Sequence, residues 1–263
     1  YEPIATVFYE KLNKLKIVEF GLVPHPDLTI FGASPDGICD SDSPEGYVGR
    51  MLEIKCPPVR KFTKEVPYHY WIQMQGQLET CDLEECDFLQ VKLIEYKDEE
   101  EYNSDICLQY DNITVMEGYS SNHFPKGLLV TISYVDDKQN KKYIYEYPEF
   151  YLSYTEYLEW FETIKNKYTE DKYTIQKNWW KIDRYECTLV GRDREWWNSI
   201  VPDILDFWEN VEYYRKIGNQ ELIDKKNKRK RKKTKAKPKN IIVINQEIQD
   251  TIDNKCLLDS DTE

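Results

Sequence analysis

The residues of this chain best suited to chemistry lie in three short segments between residues 32 and 78. Their sequences are G-A-S-P-D-G (32–37), L-E-I-K-C-P (52–57) and Y-W-I-Q-M-Q (70–75). An acidic-x-Lys triplet on a strand is common, and in many proteins it is only a solvated face that carries an ion pair. A second carboxylate close by would change its meaning, because paired carboxylates can bind a divalent cation.

Strand geometry decides where the side chains of the triplet point. Residues two apart on a strand share a face, so Glu53 and Lys55 lie together while Ile54 turns its side chain away. If a hairpin brings Asp36 beside Glu53, two carboxylates and the Ile54 carbonyl surround one point. Such an oxygen-rich shell suits Mg²⁺ or Mn²⁺. The pattern therefore predicts a metal site with Lys55 beside it.

Hydrolysis of a phosphodiester requires a nucleophile made from water, neutralisation of charge on the phosphate, and help for the leaving oxygen. Divalent cations can supply all three. The lysine could orient the attacking water or stabilise the developing charge, and the sequence leaves both roles open. No histidine is required. We expect structural or surface roles for the three histidines of the chain, His25, His69 and His123.

Two predicted helices carry further candidates. Glu2 lies on the first helix and could reach the same metal, although a surface charge is the simpler reading. Gln73 and Gln77 are four residues apart on one helical face, with Tyr70 one turn earlier. These three could line a groove and contact phosphate, water or metal, whereas Gln75 points elsewhere.

Periodicity predicts the elements that must position these residues. Helical spacing covers 2–14, and extended segments at 18–31 and 47–54 flank the turn-rich stretch 32–46, which indicates a β-hairpin. A helix at 67–80 and a strand at 86–96 follow. Farther on we predict a hairpin over 127–147 and helices at 151–168 and 197–214. The fold class is α/β, a mixed sheet flanked by helices.

Charge is distributed unevenly along the 263 residues. The chain has a formal net charge of −12, but residues 225–239 hold 11 of its 36 lysines and arginines. Residues 1–224 alone carry −18. Binding to nucleic acid would therefore require a local basic groove, bound cations or the basic run as a tether. That run could equally be a nuclear localisation signal or a solvated tail, and we expect 223–263 to be disordered.

The cysteines and the apolar stretches indicate the compartment. Seven scattered cysteines without a C-x-x-C pair favour a reduced, intracellular protein. No apolar stretch approaches the roughly 20 residues of a spanning helix. The chain begins at Tyr1, without methionine and within a helical pattern, so we expect a fragment.

Four motifs in order carry a family resemblance. Y-E-P-I-A, S-P-D-G, L-E-I-K-C-P and Y-W-I-Q-M-Q, within residues 1–96, resemble the lambda-exonuclease and YqaJ-like viral recombinase family of the PD-(D/E)xK nuclease superfamily. The resemblance implies a restriction-endonuclease-like core in a nuclease domain at 1–222, with a C-terminal elaboration at 97–222. It implies these catalytic residues: Asp36, Glu53, Lys55 and Gln73. The implied metal ligands are Glu2, Asp36, Glu53 and the Ile54 carbonyl, and the DNA contacts are Ser34, Tyr70 and Gln77.

By the same resemblance, the activity would be Mg²⁺-dependent degradation of one strand of duplex DNA from a 5′ end. Mn²⁺ could replace Mg²⁺, and two ions are expected. A single-strand annealing recombinase would be the partner, a homo-oligomer is possible, and the setting would be a large DNA virus in the host cytoplasm or nucleus. An endonuclease or repair nuclease of the same superfamily is the first alternative. A non-catalytic DNA-binding protein is the second.

Overall fold

The structure is a computed structural model that describes residues 1–58, 62–110 and 113–235. Six helices and nine strands alternate along the described chain. In order they are α1 (Glu2–Asn13), β1 (Ile17–Val18), β2 (Val23–Pro24), β3 (Gly32–Ala33), β4 (Gly37–Cys39), β5 (Met51–Lys55), α2 (Tyr68–Cys81), β6 (Glu85–Glu95), α3 (Glu99–Ser104), β7 (Lys126–Val135), β8 (Lys141–Glu146), α4 (Tyr154–Lys167), β9 (Thr174–Gly191), α5 (Arg194–Ile217) and α6 (Gln220–Lys235).

Seven strands form one mixed sheet in the order β1-β4-β5-β6-β9-β7-β8. Strands β5 and β6 run parallel, with α2 as the connection between them, and the other neighbouring pairs are antiparallel. Strands β2 and β3 form a separate antiparallel pair. The predicted fold class, a mixed sheet flanked by helices, is confirmed.

Both faces of the sheet are packed against apolar side chains of helices. On one face α1 inserts Ile4 and Phe8 against Leu52 and Ile54 of β5. On the opposite face α2 packs Met74 and other side chains against the alternate residues of β5 and β6. Helix α4 covers the part of the sheet that β7 and β8 form. The apolar side chains of these strands in that core are Leu128, Val130, Ile132 and Ile144. Alternation along each strand therefore sends neighbouring residues into different cores.

Most predicted elements are confirmed with small shifts of their ends. Helices α1, α2, α4 and α5, strand β6 and the β7–β8 hairpin lie where periodicity placed them. The elements that the sequence pattern missed include the short helix α3 and the 18-residue strand β9. Strand β9 lies inside the sheet, between β6 and β7. Its burial does not alternate cleanly, because it borders different cores along its length, so its period-2 signal is weak.

The first predicted hairpin is wrong in its boundaries. The strand that pairs with β5 is β4, which lies within the segment predicted to be a turn. The segment 18–31, predicted to be extended, contains only short strands. Gly37 explains part of this result, since a Cβ there would lie 2.2 Å from the Ile17 Cγ2 atom. A glycine that reads as a turn signal instead permits the close approach of β1.

The described chain divides into two compact units, with the division after Pro202. The first contains the sheet and helices α1 to α4. The second contains most of α5 and all of α6. Disorder was predicted from residue 223. The structure instead has helix α6 as far as Lys235, because lysine and arginine are good helix formers. The rest of the predicted tail, 236–263, and part of the basic run lie outside the described residues.

In the part of the chain that the structure describes, no helix combines the length and the apolar character needed to cross a membrane.

Candidate active site

Strand β5 places a charged side chain in the interior of the protein. Glu53 is 0% exposed, on the face of β5 that turns away from Leu52 and Ile54. Burial of an isolated carboxylate is unfavourable unless donors or cations compensate its charge. The surroundings of Glu53 must therefore supply that compensation.

Two glutamines of α2 and one lysine supply it. Gln73 Nε2 donates to Glu53 Oε1 at 2.8 Å, and Gln77 Nε2 donates to Glu53 Oε2 at 2.9 Å. Lys55 Nζ also donates to Glu53 Oε1. Gln75 points elsewhere, as predicted, and donates to the Gly191 carbonyl at 2.9 Å. The i, i+4 spacing thus fixes the carboxylate of Glu53 in one orientation.

Asp36 lies next to this group, just before β4. Its Oδ2 accepts a hydrogen bond of 2.6 Å from the Ile54 N–H, so the loop is joined to β5 at the predicted place. Burial, followed by the negative charge of Glu53, raises the pKa of Asp36 to about 6. The Ile54 N–H and Lys55 oppose this shift without cancelling it. Asp36 and Glu53 therefore lie in one partly buried site whose positive charge does not balance their two negative charges.

Lys55 donates hydrogen bonds to more than one oxygen atom of the site. Besides Glu53, its Nζ donates to the Ile54 carbonyl at 3.1 Å and lies 5.2 Å from the centre of the Tyr70 ring. The Tyr70 ring in turn packs 5.5 Å from that of Phe88. The ammonium group therefore contacts two of the oxygens that the sequence suggested as metal ligands.

Glu2 lies close to the site but is exposed at the start of α1. Its charge contributes to the raised pKa of Asp36, which places the two carboxylates within electrostatic range. Within residues 1–58, 62–110 and 113–235, no group of three or more His, Cys, Asp or Glu side chains is arranged to hold a metal ion. A ligand role for Glu2 beside Asp36 and Glu53 stays a prediction.

The donor chemistry nevertheless fits a hard divalent cation. Mg²⁺ usually takes one or two protein carboxylates and fills its remaining positions with water and substrate phosphate. Asp36, Glu53 and the Ile54 carbonyl provide such a partial shell. Among the described residues, Gln77 Oε1 is a buried oxygen without a hydrogen-bond partner. A buried acceptor of this kind calls for a cation or a donor.

The residues predicted to contact DNA differ in the exposure of their side chains. Gln77 is 4% exposed and is engaged with Glu53 and the Ser34 carbonyl, which favours a positioning role over direct contact with a phosphate. Ser34 contributes that carbonyl, while its exposed side chain is available. Tyr70 is half-buried beneath Lys55.

Sequence reasoning missed two neighbours of the site, Cys56 and Tyr147. Burial raises the pKa of the Cys56 thiol to about 11, and the charges of Glu2 and Asp36 add to the shift. The position of Cys56 directly after the E-I-K triplet could have indicated it. Tyr147 comes from a distant part of the chain, and no local pattern could have indicated it.

The geometry defines a class: an α/β protein in which one inner strand of the sheet, β5, carries an acidic and a lysine side chain beside a second carboxylate. The family model described as a YqaJ-like viral recombinase domain matches residues 1–84. Residues 1–84 are therefore similar to YqaJ-like viral recombinase domains, and the resemblance carried by the four motifs is confirmed.

One curated relative shares sequence over most of the chain. The uncharacterized protein R354 of Acanthamoeba polyphaga mimivirus is 32% identical over 242 residues, which are 82% of this chain and 43% of the relative. The chain thus spans less than half the length of this viral protein.

Two solved structures show a distant similarity. One is an alkaline exonuclease, LHK-Exo of Laribacter hongkongensis, with a TM-score of 0.42 and 17% identity, covering 85% of this chain and 71% of that one. The other is LHK-Exo in complex with dAMP, with a TM-score of 0.41 and 18% identity, covering 85% and 70%.

Proposed function

We propose that this chain is a deoxyribonuclease that requires a divalent cation, Mg²⁺ or Mn²⁺, and removes nucleotides from an end of duplex DNA. The recombinase domain at residues 1–84 supports a nuclease that acts on DNA. The observation that carries the proposal is the buried Glu53 beside Asp36 and Lys55. A protein that only binds DNA would gain nothing from buried carboxylates, which repel phosphate.

Each side chain has a distinct task in this proposal. Asp36, Glu53 and the Ile54 carbonyl would hold the cation, which when bound neutralises phosphate charge and activates water. Gln73 and Gln77 keep the Glu53 carboxylate oriented. Lys55, whose ammonium group contacts Glu53 and the Ile54 carbonyl, would orient the attacking water or stabilise the phosphate oxygens. Glu2 would act through water at the rim of the site.

Polarity and product follow from the family resemblance. We propose 5′ to 3′ resection of one strand, with the single strand passed to an annealing recombinase, two cations at work, and a homo-oligomer as the active form. The setting proposed is the cytoplasm or nucleus of a virus-infected host, with residues 225–239 as a candidate nuclear localisation signal. The mimivirus relative supports a viral origin for the proposed activity.

The test compares linear and closed circular duplexes carrying a label at either the 5′ or the 3′ end. The parent protein with Mg²⁺ should shorten the linear duplex from the 5′ end and leave the circle intact, and EDTA should stop the reaction. Asp36→Asn should be inactive, whereas Asp42→Asn, an exposed carboxylate in the loop after β4, should retain activity. Cleavage of the circle would indicate an endonuclease instead. Hydrolysis by Asp36→Asn at the parent rate would refute the proposed site.

A further inference from the structure

The outer strand of the sheet presents two tyrosines side by side. Alternation along β8 places Tyr143 and Tyr145 on one face, while Ile144 points to the other face and packs with the core beneath α4. The two tyrosines are 50% and 53% exposed. Exposed aromatic residues in such a row are candidates for binding flat ligands.

The spacing of the rings suits stacked bases. The ring planes of Tyr143 and Tyr145 are nearly parallel, at 10°, and their centres lie 6.4 Å apart. This separation is close to twice the roughly 3.4 Å repeat of bases along a nucleic-acid strand. Unpaired bases stack on aromatic side chains without regard to sequence, because every base has a π-face.

The side chains that lie opposite the two tyrosines on β7 are uncharged, and the next side chain along β8 on the same face is basic. Across the ladder, Tyr145 lies opposite Thr131, Tyr143 opposite Ser133 and Lys141 opposite Val135. The Nζ atom of Lys141 is 5.2 Å from the centre of the Tyr143 ring. We call the following residues the tyrosine face: Thr131, Ser133, Lys141, Tyr143, Tyr145, Thr174 and Gln176.

The tyrosine face has no carboxylate, although the chain as a whole has a net charge of −12. Thr174 and Gln176 extend it onto β9, opposite Ser133 and Thr131. Asp136 in the adjoining hairpin loop is paired with Lys142. A polyanion would meet hydroxyl, amide and ammonium groups on this face, with no repulsion from its own residues.

The row of tyrosines leads toward the candidate active site. Tyr147, directly after β8, packs against the core beneath α1. Its pKa is raised by burial, and next by the charges of Tyr145, Glu2 and Cys56. Glu2 and Cys56 are the same groups that neighbour Asp36. Tyr147 thus lies within electrostatic range of both Tyr145 and Glu2.

We propose that the tyrosine face binds single-stranded DNA, with bases stacked on Tyr143 and Tyr145 and a phosphate at Lys141. The assignment to DNA rests on the proposed nuclease function. Strand β8 is also the last strand of the described sheet. A second copy of the chain pairing along that edge is therefore the competing occupant.

The test measures binding of a fluorescein-labelled oligo-dT of about fifteen nucleotides by fluorescence anisotropy. EDTA is present, so that binding is measured without hydrolysis. The double variant Tyr143→Ala/Tyr145→Ala should bind at least roughly tenfold more weakly, and Tyr143→Phe/Tyr145→Phe should bind like the parent. Lys141→Ala should reduce the salt dependence of binding by about 0.7 in logarithmic slope, the contribution of one phosphate. The double alanine variant should leave that slope unchanged.

Two controls separate the possible outcomes. Tyr213→Ala removes a tyrosine of equal exposure, 53%, from α5, and should leave binding unaltered. Parent-level affinity in the double alanine variant would overturn the proposal, and so would a change from dimer to monomer in sedimentation at unchanged affinity. If the parent protein never cleaves DNA but binds oligo-dT, and the double alanine variant loses that binding, the tyrosine face is retained and the nuclease function is rejected.

Discussion

Two carboxylates of this protein, Asp36 and Asp105, are both partly buried and have opposite electrostatic environments. Asp105 accepts hydrogen bonds from Lys181 Nζ at 2.6 Å, the Tyr96 hydroxyl at 2.7 Å and the Ser121 N–H at 2.7 Å. Burial opposes ionisation of Asp105, but these donors outweigh it and lower its pKa well below the usual range. At Asp36 burial and Glu53 prevail, and the pKa rises to about 6.

The difference separates a structural ion pair from a candidate functional site. A compensated carboxylate stabilises the folded protein and has no need of a ligand. An undercompensated pair destabilises it and gains most from a divalent cation. Carboxylates whose charge is not compensated are found mainly where proteins bind ligands or catalyse reactions. We therefore propose a function for the Asp36–Glu53 pair and none for Asp105.

The largest expected effect is on catalysis. Glu53→Gln and Lys55→Met should each reduce the rate of DNA hydrolysis by roughly 10³-fold or more, because in the proposed function both side chains act on the reacting phosphate or its cation. The measurement is the initial rate of nucleotide release from an end-labelled duplex. Lys181→Met, which removes a lysine from the other site, should leave the rate within about twofold where the protein is folded. Equal losses at the two lysines would remove the distinction between the sites.

The second effect is on stability at the compensated site. Lys181→Met should lower the free energy of unfolding by about 2–3 kcal/mol at pH 7, because it leaves Asp105 without its cation. Urea denaturation measures this loss, and adding Asp105→Asn should recover part of it. Since the folded-state pKa of Asp105 is depressed, its contribution is present above the unfolded pKa of about 4 and fades as the pH falls below it. A loss that persisted undiminished at pH 2 would contradict this account.

The third effect is smaller and has the opposite sign. In EDTA at pH 8, Asp36→Asn should be about 1–2 kcal/mol more stable than the parent. The folded-state pKa of Asp36, about 6, exceeds the reference value of 3.8, so the folded parent binds this proton more tightly. The parent therefore loses stability as the pH rises from about 4 to about 6, and the advantage of the variant should vanish below pH 4. A variant less stable than the parent at pH 8 would show that Asp36 is compensated after all.

Local pattern predicted much of this arrangement. The E-I-K triplet predicted that Glu53 and Lys55 share a face, and the i, i+4 spacing predicted that Gln73 and Gln77 do. That both glutamines donate to Glu53, and not to phosphate or water, emerged only from the structure. The fold class followed from the alternation of strand and helix signals. Asp36 was paired with β5 for the right reason, although β4 itself was interpreted as a turn.

What could not be predicted depends on contacts distant in sequence. Strand β9 joins the two halves of the sheet, and its mixed burial hides the strand period. Tyr147 reaches the surroundings of Glu2 only because β8 runs along the sheet edge toward α1. The Lys126 ammonium, which donates to the carbonyls of Tyr102 and Asp105, is likewise fixed by tertiary structure alone.

Binding of Mn²⁺, followed by the electron paramagnetic resonance signal of the free ion, tests the central claim without any requirement for activity. The parent should bind Mn²⁺, Asp36→Asn should bind it at least about tenfold more weakly, and Asp105→Asn should bind it like the parent. If Asp36→Asn binds Mn²⁺ as tightly as the parent does, the Asp36–Glu53 pair is not the cation site.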